Sequence, residues 1–593
     1  MPLKWIAPQG PAPASAQSPL VPEEPKIVLV APGSLTPASL TPRNRLKHAL
    51  AAGSLLAVAL RPMPRPQMPP ALASTIDATK THPPRTGRNR PAAKHANASA
   101  AGDRITLGPS ATFSVTTLNA SGPGSLFQAV QDANANPGAD TITFQPGLTG
   151  IIALTATLNV TDSVSIIGPG PGVLSVSGGN TRRVFYLYSS SNSPLTATIT
   201  GLTIRDGSSG GGAGIRASTF NLTLDQVDLI SNTAASNGNG GGLNFDPTSS
   251  FTVSLTIRNS LLSGNHAGGT GGGIYLYHAK SGVVITNTQI VSNTAVRSGG
   301  GVYLYNANSL LIEDSTIMSN KAMTTTANGG GLDVKYSGTG MQIIRRTTIS
   351  GNAASGSGGG IEFYSPGDVL IEDSTIAGNT ANKGGGIDVE DLNGTSNTIR
   401  RTTISGNSAV TGGGVYLYSL DTPLLIENST LSGNHATGHG GGVYLYNPKG
   451  ASIQNSTIFS NTAAVGGGIQ VGKSFVPITD TIIAGNVAPL GPDITGTFQL
   501  RYDLVQITGT AAITDAGGNI FGLDPLLGPL ANNGGPTHTH LPARNSPAVN
   551  HGDPTFAPPP ATDQRGQPRV MDGRIDIGSV EIPVELFLPL IRR

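Results

Sequence analysis

Cysteine is absent from this chain of 593 residues. That excludes disulfides, thiolate metal sites and cysteine nucleophiles. Charge is scarce: 36 Lys and Arg against 34 Asp and Glu leave a net charge of +2. So mild a balance, with no basic stretch interleaved with aromatics, gives no footprint for nucleic acid. Long apolar runs are missing too. The run Ala49–Leu60 and the last twelve residues are both too short to span a bilayer. Between residues 180 and 500 no apolar stripe recurs at helical spacing. Glycine, by contrast, is plentiful at 80 residues, near twice ordinary usage.

The glycine excess sits in a repeat. A Ser/Gly-Asn-x-Ala type block recurs with its asparagine at Asn232, Asn265, Asn293, Asn320, Asn352, Asn379, Asn407, Asn434, Asn461 and Asn486. A Gly-Gly-Gly cluster follows, closed by Leu243, Ile274, Val302, Leu332, Ile361, Ile387, Val415, Val443 or Ile469, at spacings of 26 to 31 residues. A period of this length is the signature of a solenoid. Within one repeat, Leu311 to Asn320 and then Leu332 to Tyr336 alternate apolar with polar residues, as half-buried strands do. Two or three short strands joined by Asn and Gly turns make one rung of a parallel β-helix. The repeated asparagines are expected to stack on one edge and hydrogen-bond rung to rung.

These residues resemble the right-handed parallel β-helix proteins of the pectate-lyase-like superfold. The Gly-Gly-Gly-Ile and Ser-Gly-Asn-x-Ala signatures look like those of polymorphic outer-membrane proteins and related bacterial surface solenoids. Val115 to Leu126 followed by Phe127 to Asn134 resembles the entry segment of such proteins, where a short helix plugs the open end. Asp524 to Leu530, Asn533-Gly534-Gly535-Pro536-Thr537, Asp563-Gln564-Arg565-Gly566 and Asp576 to Glu581 resemble a choice-of-anchor Q domain. The resemblance implies an all-β, right-handed single-stranded parallel β-helix with an N-terminal capping helix and a C-terminal cap. It also implies export, to the medium or the cell surface.

Four segments follow. Residues 1–105 are a low-complexity leader with a signal-like segment at 43–73 (a basic stretch, an apolar core and Ala71-Leu72-Ala73) and a polar linker. Residues 106–520 form the β-helix, 521–581 a cap over its open end, and 582–593 a sorting or anchoring tail.

Aligned rungs place Glu313, Arg345, Glu372 and Arg400 in one line, with Asp314, Arg346, Asp373 and Arg401 beside them. Stacked rungs lie ~4.8 Å apart, so this is charge alternation that sets register, and not an acid/base dyad. Gly438-His439-Gly440 matches one polygalacturonase motif, but the companion motifs are absent.

The strand after each glycine cluster carries the candidate site. Its two outward residues read Asn244 and Asp246, Tyr275 and Tyr277, Tyr303 and Tyr305, Asp333 and Lys335, Glu362 and Tyr364, Asp388 and Glu390, Tyr416 and Tyr418, Tyr444 and Tyr446. Tyrosines pair a flat apolar face with a hydroxyl and suit sugar rings. Four neighbouring carboxylates, Asp333, Glu362, Asp388 and Glu390, repel one another unless a cation or raised pKa values relieve them, and Ca²⁺ is the ion such oxygens take. Two functions are open. One is an exported surface solenoid for binding, adhesion or envelope structure, contacting a polysaccharide or envelope component. The other is a polysaccharide lyase or glycoside hydrolase working around Asp333, Glu362 and Asp388, with Lys335 as the one basic candidate.

Overall fold

The structure is a computed structural model that describes residues 110–583, apart from 191–192, 248–250, 420–421 and 572. The signal-like segment at 43–73, its linker and residues 584–593 lie outside the described residues.

One rung shows how the sequence builds the rest. Leu310–Glu313, Thr316–Met318, Lys321–Ala322 and Leu332–Lys335 are strands. Each pairs in parallel with its counterpart one repeat on: Leu310 with Gln342, Thr316 with Thr348, Leu332 with Ile361. Stacking yields a 29-stranded sheet from the first two strands of each rung and a 13-stranded sheet from the strand after the glycines. A narrow six-stranded strip lies between them in the chain. Ile312, Ile317, Leu332 and Val334 point inward and are fully buried, as alternation requires. The helix Leu126–Ala135 buries Leu126, Ala129, Val130 and Ala133 against the first strands, with Ser125 capping its N-terminus. It is the plug expected of the entry segment.

The triple glycine is steric. Gly329 has φ +61°, and a Cβ on Gly330 would lie 2.4 Å from the Gly359 carbonyl of the next rung. A Cβ on Gly331 would meet the Gly360 carbonyl at 2.7 Å and the Asn352 side chain at 3.1 Å. Real Cβ atoms do not come that close to backbone oxygens, so the rungs stack only on bare backbone.

The asparagines form the expected ladder on one edge. Backbone N and Nδ2 of Asn320 donate to Asn352 Oδ1 at 2.9 and 3.0 Å, and Asn352 repeats this to Asn379. Each Nδ2 also donates to a strand carbonyl of the preceding rung, as Asn352 does to Ile317. Asp493 ends the ladder by accepting from Asn486 N and Nδ2. A second ladder was not read from the sequence. The buried hydroxyls of Ser315, Thr347, Ser374, Ser429 and Ser456 accept from the backbone N–H of the rung before.

The charge alternation holds in register, with Glu313 opposite Arg345, Arg345 opposite Glu372 and Glu372 opposite Arg400. The side chains nevertheless close in two separate clusters. Arg346 reaches Glu313 and Asp314, and Arg345 lies 2.6 Å from Glu313. Arg400 and Arg401 hold Glu372 at 2.7 and 3.0 Å, and Arg401 holds Asp373 at 2.7 Å. Asp314, Arg346, Asp373 and Arg401 all have left-handed backbone (φ 48 to 50°), the turn position that ends each strand.

The C-terminal block packs back on rungs that precede it in the chain. Its hydrogen bonds run sideways along the flank of the 29-stranded sheet. Gln564, fully buried, donates to Thr403 Oγ1 (3.1 Å) and Thr537 Oγ1 (2.9 Å) and accepts from Thr430 Oγ1 (2.6 Å). Ser579 meets Thr430 and Thr457, His540 meets Ser432, and Asp553 meets Asp480 and Arg501. The solenoid presents outward hydroxyls on these rungs, and the returning chain satisfies them. Beneath, Arg569 pairs with Glu581 at 3.0 Å, both buried. Burial lifts Glu581 to about 8, and Arg569 opposes that shift. Gln564→Leu leaves Thr430 and Thr403 short of partners, at about 1–3 kcal/mol for each buried group left unpaired. The expected result is faster proteolysis within 522–583 with the melt of the rungs unchanged. Equal proteolysis of variant and wild type would mean that the flank is held by apolar contacts alone.

Candidate functional site

On the outer face of the 13-stranded sheet two rows run down the stack in register. The first is Tyr275, Tyr303, Asp333, Glu362, Asp388, Tyr416, Tyr444. The second is Tyr277, Tyr305, Lys335, Tyr364, Glu390, Tyr418. Tyr446 extends it, its ring 5.1 Å from that of Tyr418. The structure thus brings the proposed residues together as the sequence alignment of rungs placed them.

Their exposure differs from expectation. Asp333 and Asp388 are 0% exposed and Glu362 1%, where outward residues of a surface sheet were expected to be solvated. The glycine turns are the reason. A Cβ on Gly329 would lie 2.3 Å from Cβ of Asp333, and one on Gly384 2.7 Å from Cβ of Asp388. The turn backbone therefore packs directly over the first row and shuts out water.

The burial is poorly compensated. Neither oxygen of Asp333 or Asp388 makes a hydrogen bond of normal geometry, and Glu362 Oε2 makes none. Glu362 Oε1 accepts from Asn328 Nδ2 at 3.2 Å. Lys335 Nζ stands 3.8 Å from Asp333 Oδ1, an ion pair without a hydrogen bond. A buried charge without partners takes up a proton instead. Burial pushes Asp333 up to about 6, with Lys335 and the Ser298 hydroxyl holding it back. Burial and then the Glu390 charge push Asp388 up to about 8. Glu362 is raised well above the ordinary carboxyl range, first by burial and then by Asp388 and Asp333 on either side. At neutral pH these shifts favour an ionised Asp333 beside Lys335 and a protonated Asp388.

Lys335 is not alone, as the sequence reading had it. Lys383, from the turn before Gly384, lies 3.4 Å from Glu390 and 5.3 Å from the Tyr416 ring centre. It belongs to a turn whose reach no strand pattern reveals. Among the described residues no three His, Asp or Glu side chains are placed to hold a metal ion.

The tyrosines mostly stack on one another and so cover the faces that were expected to meet sugar rings. Tyr275 and Tyr303 are 5.5 Å apart at 2° between planes, Tyr277 and Tyr305 4.8 Å at 17°, and Tyr418 and Tyr446 5.1 Å at 13°. Tyr416 is 5% exposed. Burial, and then the neighbouring acid, raises the hydroxyls of Tyr303 and Tyr416. Tyr336 breaks the pattern and was missed by the sequence reading. Its left-handed backbone (φ 48°) swings the ring out between Tyr305 and Tyr364, at 5.3 and 5.2 Å and steeply inclined to both. Tyr336 is 47% exposed and Tyr418 39%. A cleft of about 430 Å³ opens beside Tyr303 and Lys335, walled by Arg297, Ser298, Thr324 and Thr326. The longer loop between Asn320 and Gly329 supplies the last two.

The family described as "Right handed beta helix region" matches residues 179–346, 298–458 and 335–497, which together span more than half of the chain. The chain belongs to that right-handed β-helix family. No curated protein sequence matches it. Among solved structures it is similar to the A-module of a mannuronan C-5 epimerase of Azotobacter vinelandii, at 14% identity and TM-score 0.31, covering 68% of this chain and 100% of that one. It is also similar to the catalytic unit of an α-1,3-glucanase of Streptomyces thermodiastaticus, at 16% and 0.34, covering 72% of each chain. At such values neither likeness bears on activity.

Proposed function

We propose that the outer face of the 13-stranded sheet holds a polysaccharide, in a bacterial protein exported to the surface or the medium for binding or adhesion. The observation that carries this is the aromatic strip of Tyr277, Tyr305, Tyr336 and Tyr364, with successive ring centres 4.8, 5.3 and 5.2 Å apart along the stack. Rungs repeat every ~4.8 Å, close to the advance of one sugar in an extended chain. A polymer lying along the axis therefore meets a ring edge, a hydroxyl or the open face of Tyr336 at each step. Export rests on the leader at 43–73 and on the resemblance of the C-terminal motifs to a choice-of-anchor Q domain.

A second reading, polysaccharide cleavage, is favoured by the raised carboxyls alone, since perturbed acids cluster at functional sites. Adjacent rungs set Glu362 within about one rung, ~5 Å, of an ionised Asp333, a spacing used by retaining glycosidases. The acids are covered by the turns, so in this reading the Gly329 and Gly384 turns must move aside.

Tyr336→Ala/Tyr418→Ala removes two exposed rings and should leave the melt unchanged. Affinity electrophoresis through a panel of polysaccharides should show about a tenfold weaker retardation, or 1.4 kcal/mol. Equal mobility of variant and wild type on every polymer that retards the wild type would sink the proposal. Release of reducing or unsaturated ends by the wild type, abolished in Glu362→Gln, would establish cleavage.

A further inference from the structure

The first row of the sheet continues toward the N-terminus as Asn244, Arg216 and Tyr186. Here the chemistry reverses. The Arg183 and Arg216 guanidinium carbons lie 5.0 and 5.6 Å from the centre of the same Tyr186 ring. Arg183 is fixed by donating from Nε and Nη2 to the carbonyls of Gly212 and Gly211, at 2.9 and 2.8 Å. Arg216 makes no such bond, and its Nε is buried without an acceptor. One register step away, Asn244 Oδ1 is buried without a donor, while its Nδ2 is committed to Asn239 O at 3.2 Å. The neighbouring acid is Asp246, which feels the Arg216 charge but closes no ion pair with either arginine. Burial and then the Arg216 charge lower Arg183 below the ordinary arginine range. Two like charges are thus held together by backbone and ring, with an idle donor on one and an idle acceptor beside it.

We infer that Arg183 and Arg216 form an oxyanion subsite that takes a carboxylate or sulfate group carried by a hydroxylated polymer, with Asn244 Oδ1 accepting from an adjacent hydroxyl. Paired guanidiniums suit planar and tetrahedral oxyanions because their N–H groups match two oxygens at once. The ring of Tyr186 screens one side of the pair and keeps its charge on the sheet face. The subsite lies four rungs from Asp333, about 19 Å along the stack. A polymer spanning both places anionic groups at the arginines, away from the acidic row. This extends the polysaccharide reading of the face and depends on it for the polymer, though not for the anion.

The test uses one backbone in three charge states: dextran, carboxymethyl-dextran and dextran sulfate, in affinity gels at fixed salt. Wild type should be retarded more by at least one charged polymer than by dextran, and which one distinguishes carboxylate from sulfate. Arg183→Gln/Arg216→Gln should weaken that excess about tenfold or more. Arg216→Gln alone, which breaks no hydrogen bond, should weaken it several-fold and guards against misfolding. Arg258→Gln/Lys321→Gln removes the same charge from other faces and should change it little. No excess retardation of the wild type, an unchanged double variant, or an equal loss in the control pair would each overturn the subsite. Loss on the arginine variants with no effect of Tyr336→Ala/Tyr418→Ala would keep the subsite and sink the groove; the reverse pattern would do the opposite.

Discussion

Asp388→Asn is expected to stabilise this protein, and most strongly at pH 8 and above. Asp388 is fully buried, neither of its oxygens makes a hydrogen bond of normal geometry, and burial with the Glu390 charge lifts its pKa to about 8, against the Ser357 hydroxyl. An unfolded aspartate titrates near 3.9. The folded state therefore holds the proton more tightly than the unfolded one. For such a group the favourable contribution is complete below pH ~4 and is lost as pH rises through the folded value. Wild-type stability should accordingly decline between about pH 4 and 8. Each tenfold difference in proton affinity between the two states corresponds to about 1.4 kcal/mol, and the cost of a buried amide that is itself short of partners leaves roughly 3–5 kcal/mol to recover at alkaline pH. Asparagine occupies nearly the same volume and carries no charge. Glu362, raised for the same reasons and flanked by both aspartates, should behave likewise as Glu362→Gln. Thermal melts of wild type and variant from pH 4 to 9 decide the matter. Curves that stay parallel across the range would show that Asp388 is not buried as a carboxylic acid.

Asn379→Ala should be among the most damaging single changes in the chain. Its Oδ1 accepts from N and Nδ2 of Asn352, its own N and Nδ2 donate to Asn407 Oδ1, and Nδ2 also donates to Ile349 O. Alanine strands partners on both neighbouring rungs in a buried site. A lost buried partner is worth about 1–3 kcal/mol, and several are lost together, so roughly 3–5 kcal/mol is expected. In a solenoid each rung contacts only its neighbours, and the damage stays local. Hydrogen exchange should therefore accelerate first at the rungs of Asn352 and Asn407, and least near Asn232. Uniform acceleration along the whole stack would show that the ladder is not the local clamp described above.

Much of this was legible in the sequence because a parallel stack repeats its own rules. A slip of one residue would turn every inward side chain outward, and it would take Asn352 and Asn379 out of their ladder. The period, the alternation and the asparagines thus determine register, and register determines that Tyr303, Asp333, Glu362, Asp388 and Tyr416 share one row. What that row experiences was decided only in three dimensions. Asp333 and Tyr305 both read as outward positions, yet Asp333 is sealed and Tyr305 is partly exposed. The difference lies in the Gly329 turn packed on Asp333. Stacking of tyrosine on tyrosine, the reach of Lys383 and the return of Gln564 to rungs more than a hundred residues earlier are decided in the same way. Each depends on what neighbouring rungs and returning chain place over a side chain, and local alternation carries no record of that.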